Sequence, residues 1–449
     1  MQYLSLIDFI ISPIYFLVLF LLGIFFLSKK WKNDPEVYKY YRFGLFFKMG
    51  GAVAFCLVYA LYYGGGDTTD YYIGISAMMG LAGKNFDAFW EIMKGANTPE
   101  LYSTFDTSIG YPEWHHWRDP NTFIVTRLSI PFGYLGLNRF LLITIALGTY
   151  SFLGVWRLFT MFVELYPNLK YQFAIAILYF PSCIFWGSGI MKDTYTLSAV
   201  CWLVYNVYST FIKKEKVLIN ISIGLINIIT IISVKPYIFI SLIPCILFWI
   251  LYQKVDKIKN KSIKLASGPF VIISAFSLGL IILNTLGSQL GVYGTIDGAI
   301  EKAIVTQQDL IRSDLYGENN FNIGKLDGTL PNLISKLPAA IIAGLYRPFL
   351  FEARNIVMIV SGLENTLLLY LTLVILIKGR IFKTFNIILS DPLILLCFLF
   401  PLIFAFSIGI STANFGALVR YKIPLIPFFV SGLYIVKSKL SKVNVEYNQ

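Results

Sequence analysis

Charged residues are scarce in this chain. Asp, Glu, Lys and Arg make up 14% of its 449 residues, against about 25% in soluble domains. Hydrophobic residues account for 57%, and the mean hydropathy is +0.68. Apolar runs near the roughly 20 residues that span a bilayer recur along the whole chain. The composition excludes a soluble protein and predicts an all-α, polytopic integral membrane protein.

Motifs of soluble enzymes are also missing. There is no Ser-His-Asp order, no glycine-rich loop that would cradle a phosphate and no HExxH helix, so soluble-type hydrolase or NTPase chemistry has no support. The first apolar run, 7–27, is too long for a cleavable signal peptide. The cysteines lack zinc-type spacing and are expected to be small buried residues. They are Cys56, Cys183, Cys201, Cys245 and Cys397.

Windowed hydropathy predicts about eleven membrane-spanning helices. They cover residues 7–27, 45–63, 140–158, 171–188, 195–212, 217–233, 237–253, 269–286, 357–377, 391–410 and 419–436. No internal repeat is obvious, which argues against a transporter built from duplicated halves.

Basic residues predict which side of the membrane each connection faces. If the N-terminus lies outside, five basic segments all fall on one side, which the positive-inside rule assigns to the cytoplasm. These segments are Lys29 to Lys32, Lys213 to Lys216, Lys254 to Lys264, Lys378 to Arg380, and the tail with Lys437, Lys439 and Lys442. The net charge of +12 then reflects topology, and no nucleic-acid partner is expected.

Two long polar segments, 64–139 and 287–356, fall on the outer side. Both exceed ordinary connection length, which favours a function. Each holds one predicted helix: 86–94, whose apolar stripe would lie flat on the membrane surface, and 333–345, which is too short to span and is expected to be a surface helix or re-entrant. The chain accordingly divides into an extra N-terminal helix with its linker, a transmembrane core with the first outer loop, the second outer loop, and the C-terminal helices with a cytoplasmic tail. These regions are 1–44, 45–286, 287–356 and 357–449.

The most informative local feature is Gly-Gly-Gly-Asp-Thr-Thr-Asp at residues 64–70, directly after the second span. It brings Asp67 and Asp70 to the membrane interface. A carboxylate is costly in hydrocarbon, so such residues face a watery cavity or a partner, and the glycines let the backbone turn sharply. The structural alternative is that both acids only cap a helix that starts near Tyr71.

Basic residues on the outer face run against the positive-inside trend and therefore need a reason. One reason is binding of an interfacial anion, such as a lipid phosphate or pyrophosphate. Structural alternatives stay open, namely an ion pair of Lys192 with Asp193, pairing of Glu352 with Arg354, and snorkelling of Arg420. The outer-face charged residues beyond the first loop are Lys192, Asp193, Lys235, Arg347, Glu352, Arg354, Arg420 and Lys422.

The adjacent histidines, His115 and His116, lie in an aromatic-rich stretch of the first outer loop. Neighbouring histidines point apart in regular structure, so surface packing is expected here rather than joint metal binding. His116 together with Glu113 or Asp119 is a second candidate general base.

Three segments resemble the GT-C superfamily of polyprenyl-phosphate-dependent glycosyltransferases. The first is a short acidic motif after an early span. The second is a proline, aromatic and Ser-Gly run that ends in Lys-Asp. The third is a late-span Arg-Tyr-Lys sequence followed by prolines, which is also similar to some polysaccharide polymerases. These segments are 66–70, 181–193 and 414–427.

The resemblance implies roles for several residues. The first outer-loop aspartate of the family is the catalytic base of an inverting transfer, which corresponds to Asp67, with Asp70 beside it. Acidic residues in the next outer loop assist donor or metal binding, which corresponds to Asp193 beside Lys192. We expect either no cofactor or a divalent cation, Mg²⁺ or Mn²⁺, held by Asp67 and Asp70. This chain departs from the family in having one extra span before the acidic motif.

The sequence therefore predicts a GT-C-type glycosyltransferase of a bacterial inner membrane, with its site facing the periplasm or exterior. It would move a sugar from a polyprenyl-phosphate donor to a lipid-linked glycan or protein acceptor. The expected partners are this donor, the acceptor and the membrane lipids. The expected substrate-binding residues are Lys192, Asp193, Arg347, Arg354, Arg420, Lys422 and His116.

Two alternative functions remain open. An O-antigen or capsule polymerase that joins lipid-pyrophosphate glycans would depend on Arg347, Arg354, Arg420 and His116. A polysaccharide or lipid transporter or flippase predicts carboxylates deep within spans and helices broken at mid-bilayer.

Overall fold

The protein is described by a computed structural model over residues 3–31, 34–256, 270, 273–275, 277–282, 284–312, 319–379 and 381–446. Over these residues the chain is helical without a β-strand, so the predicted all-α fold is confirmed. The α-helices are α1 (Leu6–Trp31), α2 (Pro35–Leu57), α3 (Asp67–Lys84), α4 (Phe86–Met93), α5 (Pro99–Tyr102), α6 (Trp114–Trp117), α7 (Pro120–Leu135), α8 (Phe140–Leu165), α9 (Lys170–Phe173), α10 (Pro181–Phe185), α11 (Lys192–Val207), α12 (Val217–Val234), α13 (Pro236–Asp256), α14 (Gly287–Leu290), α15 (Ile296–Leu310), α16 (Leu330–Tyr346), α17 (Ile356–Gly379), α18 (Ile381–Ser390), α19 (Pro392–Ser411), α20 (Phe415–Tyr421) and α21 (Ile426–Glu446).

Within the described residues, seven helices are long and apolar enough to cross a membrane, so this is a multi-pass membrane protein. Helices α20 and α21 form an eighth span if they are one helix bent by 66°. The total of eleven spans remains a prediction. The seven helices are Leu6–Phe26, Pro35–Tyr63, Phe140–Leu165, Val217–Val234, Pro236–Gln253, Ile356–Gly379 and Pro392–Ser411.

The predicted span 171–188 is not one regular helix. Helix α9 ends at Phe173, a π-helix covers Ala174–Leu178, and α10 begins at Pro181. Pro181 has no N–H to donate to the preceding turn and disfavours a helical backbone at Phe180, which is extended. Hydropathy alone does not register this interruption. The predicted span 195–212 is helical, whereas 269–286 lies partly outside the described residues.

A lysine is buried within the second span. Lys48 in α2 is 3% exposed, and its ammonium donates a hydrogen bond of 2.6 Å to the carbonyl of Cys183 in α10. The last carbonyls of a short helix have no partner within it, and no water satisfies them in hydrocarbon. The two helices approach closely because Gly51 has no side chain; a Cβ there would lie 2.7 Å from the carbonyl oxygen of Ile184.

The chain divides into two compact units. The first unit comprises Met1–Thr160, Leu178–Trp202 and Ser233–Lys235, and it contains the first outer loop. The second unit comprises Met161–Ile177, Leu203–Ile232 and Pro236–Gln449, and it contains the second outer loop.

Contacts within the second unit join segments that are predicted to face the cytoplasm. Lys213 pairs with Glu164 at 2.7 Å. Asp391 accepts hydrogen bonds from the Tyr166 hydroxyl at 2.6 Å and from the Lys439 ammonium at 2.9 Å. These connections therefore meet at one end of the unit. This agrees with the predicted order of spans, which places all of them on the same face of the membrane. Which membrane face this is remains a prediction.

The predicted surface helix 86–94 is α4, so its existence is confirmed. The side chain of Asn85 accepts the N–H of Ala88 and caps it at 3.1 Å. The residues of its apolar stripe do not all face the same surroundings. Phe89 is buried, whereas Phe86 and Trp90 are exposed and their rings stack with centroids 6.4 Å apart. The exposed pair suits contact with a membrane interface.

The second predicted surface helix, 333–345, is part of α16, which packs closely against α19 in the second unit. A Cβ added at Gly344 would lie 2.3 Å from the carbonyl oxygen of Ala405. One added at Gly409 would lie 2.0 Å from the carbonyl oxygen of Ala340. Small residues thus let the two backbones approach, and this face of α16 is covered by protein.

Candidate functional site

The three glycines at 64–66 form the turn that separates the second span from α3. The span ends in a π-helix, Val58–Tyr63. The φ angles that follow are +71° at Gly64, +139° at Gly65 and +131° at Gly66, which side chains rarely tolerate. The predicted sharp turn is confirmed, and it starts α3 directly at Asp67.

Asp67 and Asp70 lie in the first turn of α3, where the helix dipole favours negative charge. The helix starts at Asp67 rather than near Tyr71, and the side-chain oxygen of Thr69 accepts the Gly66 N–H at 2.9 Å. Asp67 is exposed and Asp70 is half-buried. Burial raises the pKa of Asp70, and the nearby His115 partly opposes this shift.

The two histidines lie beside these carboxylates. The Nε2 of His115 is 3.3 Å from Oδ2 of Asp70, and the ring of His116 packs on Tyr71 at 4.4 Å between centroids. The histidine rings are only 4.5 Å apart, so the expectation that they point apart was wrong; the single turn of α6 does not impose that geometry. Burial lowers the pKa of His116 to about 4, which keeps it neutral at pH 7.

Lys192, at the start of α11, joins the same cluster from a distant part of the sequence. Its ammonium donates to the Thr122 hydroxyl at 2.7 Å and lies 3.9 Å from Oδ2 of Asp119. Burial lowers its pKa to about 8, and the carboxylates of Asp119 and Asp67 oppose that shift. The Lys192 ammonium is therefore close enough to Asp67 for their charges to interact. An ion pair of Lys192 with Asp193 was one open alternative, whereas the contacts that the structure shows for its ammonium are those to Thr122 and Asp119.

Asp193 instead faces Lys235, which lies between α12 and α13. The Asp193 Oδ1 and the Lys235 ammonium are 2.6 Å apart, and their side chains are 1% and 5% exposed. This buried ion pair ties the start of α11 to the turn after α12. Both residues were predicted to lie on the same side of the membrane, and the contact agrees with that; that this side is the outer one remains a prediction.

Arg127 organises the first outer loop, and sequence reasoning missed it. Its guanidinium donates to the carbonyl oxygens of Ile92 at 2.7 Å and Ala96 at 3.3 Å, and to the side-chain oxygen of Asn97. Asn97 in turn donates to the carbonyl of Trp117 at 2.5 Å. Arg127 is 4% exposed, so it satisfies loop carbonyls that water does not reach. A lone arginine within an apolar stretch was the available signal.

Arg347, in the second unit, is held by protein groups. Its guanidinium forms a two-pronged ion pair with Glu352, including an Nε–Oε1 contact of 3.0 Å. It also lies over the rings of Phe321 and Phe415, at 4.8 and 5.4 Å. Glu352 therefore pairs with Arg347, because the turn after α16 folds Glu352 back so that its carboxylate also accepts the N–H of Phe349.

Lys422 is buried at the break between α20 and α21. It is 1% exposed, and its ammonium donates to the Arg347 carbonyl at 3.1 Å and to the side chain of Asn365. Arg420 is partly exposed and Arg354 is exposed. These four cations belong to the second unit, whereas the carboxylates, histidines and Lys192 belong to the first.

Comparison with known protein families, curated proteins and solved structures yields no match for this chain. The class that its structure defines is a helical, multi-pass membrane protein with a carboxylate–histidine–lysine cluster at the segment that is predicted to be the first outer loop.

Proposed function

We propose that the protein is an inverting membrane glycosyltransferase that uses a polyprenyl-phosphate-linked sugar. The acceptor is a lipid-linked glycan or a protein, and the site faces the outside of a bacterial inner membrane. The observations that carry the proposal are the exposed Asp67 carboxylate in the first turn of α3 and the Lys192 ammonium at the start of α11, whose charges are close enough to interact. A transfer of this kind requires both a base and a cation for the leaving phosphate.

The proposed step uses these two residues. Asp67 takes the proton from an acceptor hydroxyl, whose oxygen attacks the anomeric carbon. The bond from that carbon to the phosphate oxygen breaks, and the polyprenyl phosphate leaves as an anion. Lys192 stabilises the developing charge, aided by the positive end of the α11 dipole. Asp70 supports Asp67, and these two carboxylates are the residues that would hold a divalent cation.

Arg347 and Lys422 support the proposal less than Lys192 does. Both are engaged by protein groups, Arg347 by Glu352 and Lys422 by Asn365. The polymerase alternative depends on cations of this unit. We therefore assign Arg347 and Lys422 primarily to holding the turn after α16 against α17 and α20.

The test is a transfer assay on the full chain reconstituted in liposomes. Undecaprenyl-phosphate monosaccharides labelled in the sugar serve as donors, and lipid extracts of the source membrane supply acceptors. Asp67→Asn is expected to lower turnover about 10²- to 10⁴-fold, the usual contribution of a general base.

The matched control for this substitution is Asp87→Asn, an exposed carboxylate in the same outer loop. It should transfer sugar at the wild-type rate. Wild-type turnover by Asp67→Asn, in folded protein, would refute the assignment of the base.

A second candidate is a transporter of a lipid-linked glycan. The broken late span favours it, because α20 and α21 meet at 66° with the buried Lys422 at the break, and broken helices often line transport sites. Glu364, 9% exposed in α17, contributes to the charge environment of Lys422.

The transporter candidate predicts movement without chemistry. In liposomes, a fluorescent polyprenyl-phosphate sugar should become accessible to a membrane-impermeant quencher at a rate that Lys422→Met lowers at least tenfold. Asp67→Asn should leave this rate unchanged. Absence of movement above that of empty liposomes would exclude the candidate.

A further inference from the structure

We propose that Asp70, His115 and His116 bind one transition-metal ion of the zinc type. One ligand atom from each side chain lies within 4.8 Å of the other two. The inference does not rest on the proposed glycosyl transfer, and it concerns a different ligand set from the Asp67 and Asp70 pair named above.

The geometry needs little adjustment to hold an ion. Bonds of about 2.1 Å at tetrahedral angles place two ligand atoms about 3.4 Å apart. The His115 Nε2 and Asp70 Oδ2 are already 3.3 Å apart. The remaining separations, within 4.8 Å, close by small rotations of the side chains. Two imidazoles and one carboxylate leave a fourth position for water or a substrate oxygen.

His116 provides an independent observation. Its side chain is 5% exposed, and its Nδ1 has no hydrogen-bond partner among the residues that the structure describes. A buried polar nitrogen without a partner is unfavourable. Coordination of the metal ion through Nδ1 would give this nitrogen a partner, since either ring nitrogen of a histidine can be a ligand. The neighbouring rings of Tyr71 and His115 fix the orientation of His116.

Local charge favours a cation at this position. Asp67 and Glu113 both act on the Asp70 carboxylate as like charges. An ion bound there offsets their repulsion. Imidazole nitrogen selects zinc, copper or nickel over Mg²⁺, which prefers oxygen ligands. The structural consequence is a link between α6, which carries both histidines, and the first turn of α3.

The experiment measures metal binding by the full chain, without reference to activity. The protein is purified in detergent through a tag without histidine, stripped with chelator and titrated with ZnCl₂. Elemental analysis should find about one zinc per chain, retained in a thousandfold excess of MgCl₂. His115→Ala should weaken binding at least tenfold, since even loss of an outer-shell partner costs 10- to 100-fold.

His115 is 54% exposed, so its removal leaves the packed interior intact. Asp70→Asn, which removes the carboxylate ligand, should also weaken zinc binding, and its matched control, the exposed Asp87→Asn, should bind zinc as the wild type does. The two residues 115 and 116 are the only histidines in the sequence. Pulsed electron spin resonance of the Cu²⁺-loaded protein should therefore show two coupled imidazoles, and His115→Ala should show one.

Three results would overturn the proposal. They are zinc content well below one per chain in the wild type, equal zinc affinity in wild type and His115→Ala, and displacement of zinc by Mg²⁺. If Asp67→Asn abolishes sugar transfer but leaves zinc binding intact, the metal site and the proposed base are separate. If His115→Ala loses zinc binding but transfers sugar normally, the metal site is supported and the assignment of Asp67 as the base is unaffected.

Discussion

Lys235→Met is expected to lower the free energy of unfolding by about 3–5 kcal/mol. The substitution removes the ammonium that lies 2.6 Å from the Asp193 carboxylate and leaves that carboxylate buried, at 1% exposure. Desolvation of a charge without its counter-ion is what makes the broken pair so unfavourable. Reversible unfolding by SDS in mixed micelles measures the change. A loss below about 1 kcal/mol would mean that the pair is not buried as described.

Two further variants sharpen this measurement. The double variant Asp193→Leu with Lys235→Met should be more stable than Lys235→Met alone, because it leaves no isolated charge, and the double-mutant cycle isolates the coupling. Lys84→Met is the matched control. Lys84 pairs with Asp106 on the surface, where both side chains are more than 40% exposed, so its loss should be barely measurable. Equal losses at the two lysines would contradict the argument.

Gly409→Val is expected to destabilise the second unit by about 1–3 kcal/mol or more through overpacking. Even its Cβ would lie 2.0 Å from the carbonyl oxygen of Ala340, and a backbone atom in a helix cannot move aside. Helices α16 and α19 must therefore separate. Gly344→Val should act similarly, since its Cβ would meet the Ala405 carbonyl at 2.3 Å. The same SDS titration measures both losses.

The control for the glycine substitutions is Gly50→Ala in α2. A Cβ at Gly50 meets nothing within 4 Å, and alanine has the higher helix propensity, so stability should be unchanged or slightly raised. Separation of α16 from α19 can also be measured by thiol labelling of a cysteine placed at Ala340, which is fully buried. Ala340→Cys should resist a thiol reagent in the wild-type background and react in Gly409→Val. Wild-type stability of Gly409→Val would contradict the close packing.

The sequence predicted those features that depend on neighbouring residues. The glycines before Asp67 demanded a turn with positive φ, and the turn is there. The apolar periodicity around Phe89 predicted a helix, and α4 forms. Long apolar runs predicted the seven helices that are able to span a membrane. These properties follow from local conformation and from burial of a continuous apolar surface.

What the sequence did not predict are contacts between distant segments. An ion pair of Lys192 with its neighbour Asp193 was one open alternative, whereas the Lys192 ammonium donates to the Thr122 hydroxyl. Adjacent side chains at the start of a helix diverge by about 100°, so each meets a different partner. Pairing of Glu352 with Arg354 was another open alternative, and the structure pairs Glu352 with Arg347. Pairing depends on how the chain folds back, which residue spacing does not encode.

The hydrogen bond between Lys48 and the Cys183 carbonyl also bears on how the chain is made. The two residues are 135 positions apart in the sequence, so α2 leaves the ribosome long before its partner carbonyl exists. A lysine near the centre of a span raises the free energy of insertion by about 2.5–3.5 kcal/mol on translocon scales. The apolar residues of α2 must therefore offset this unfavourable free energy for the helix to insert. The ammonium can make this hydrogen bond only after residue 183 has been synthesised, so the bond marks the docking of α10 against α2.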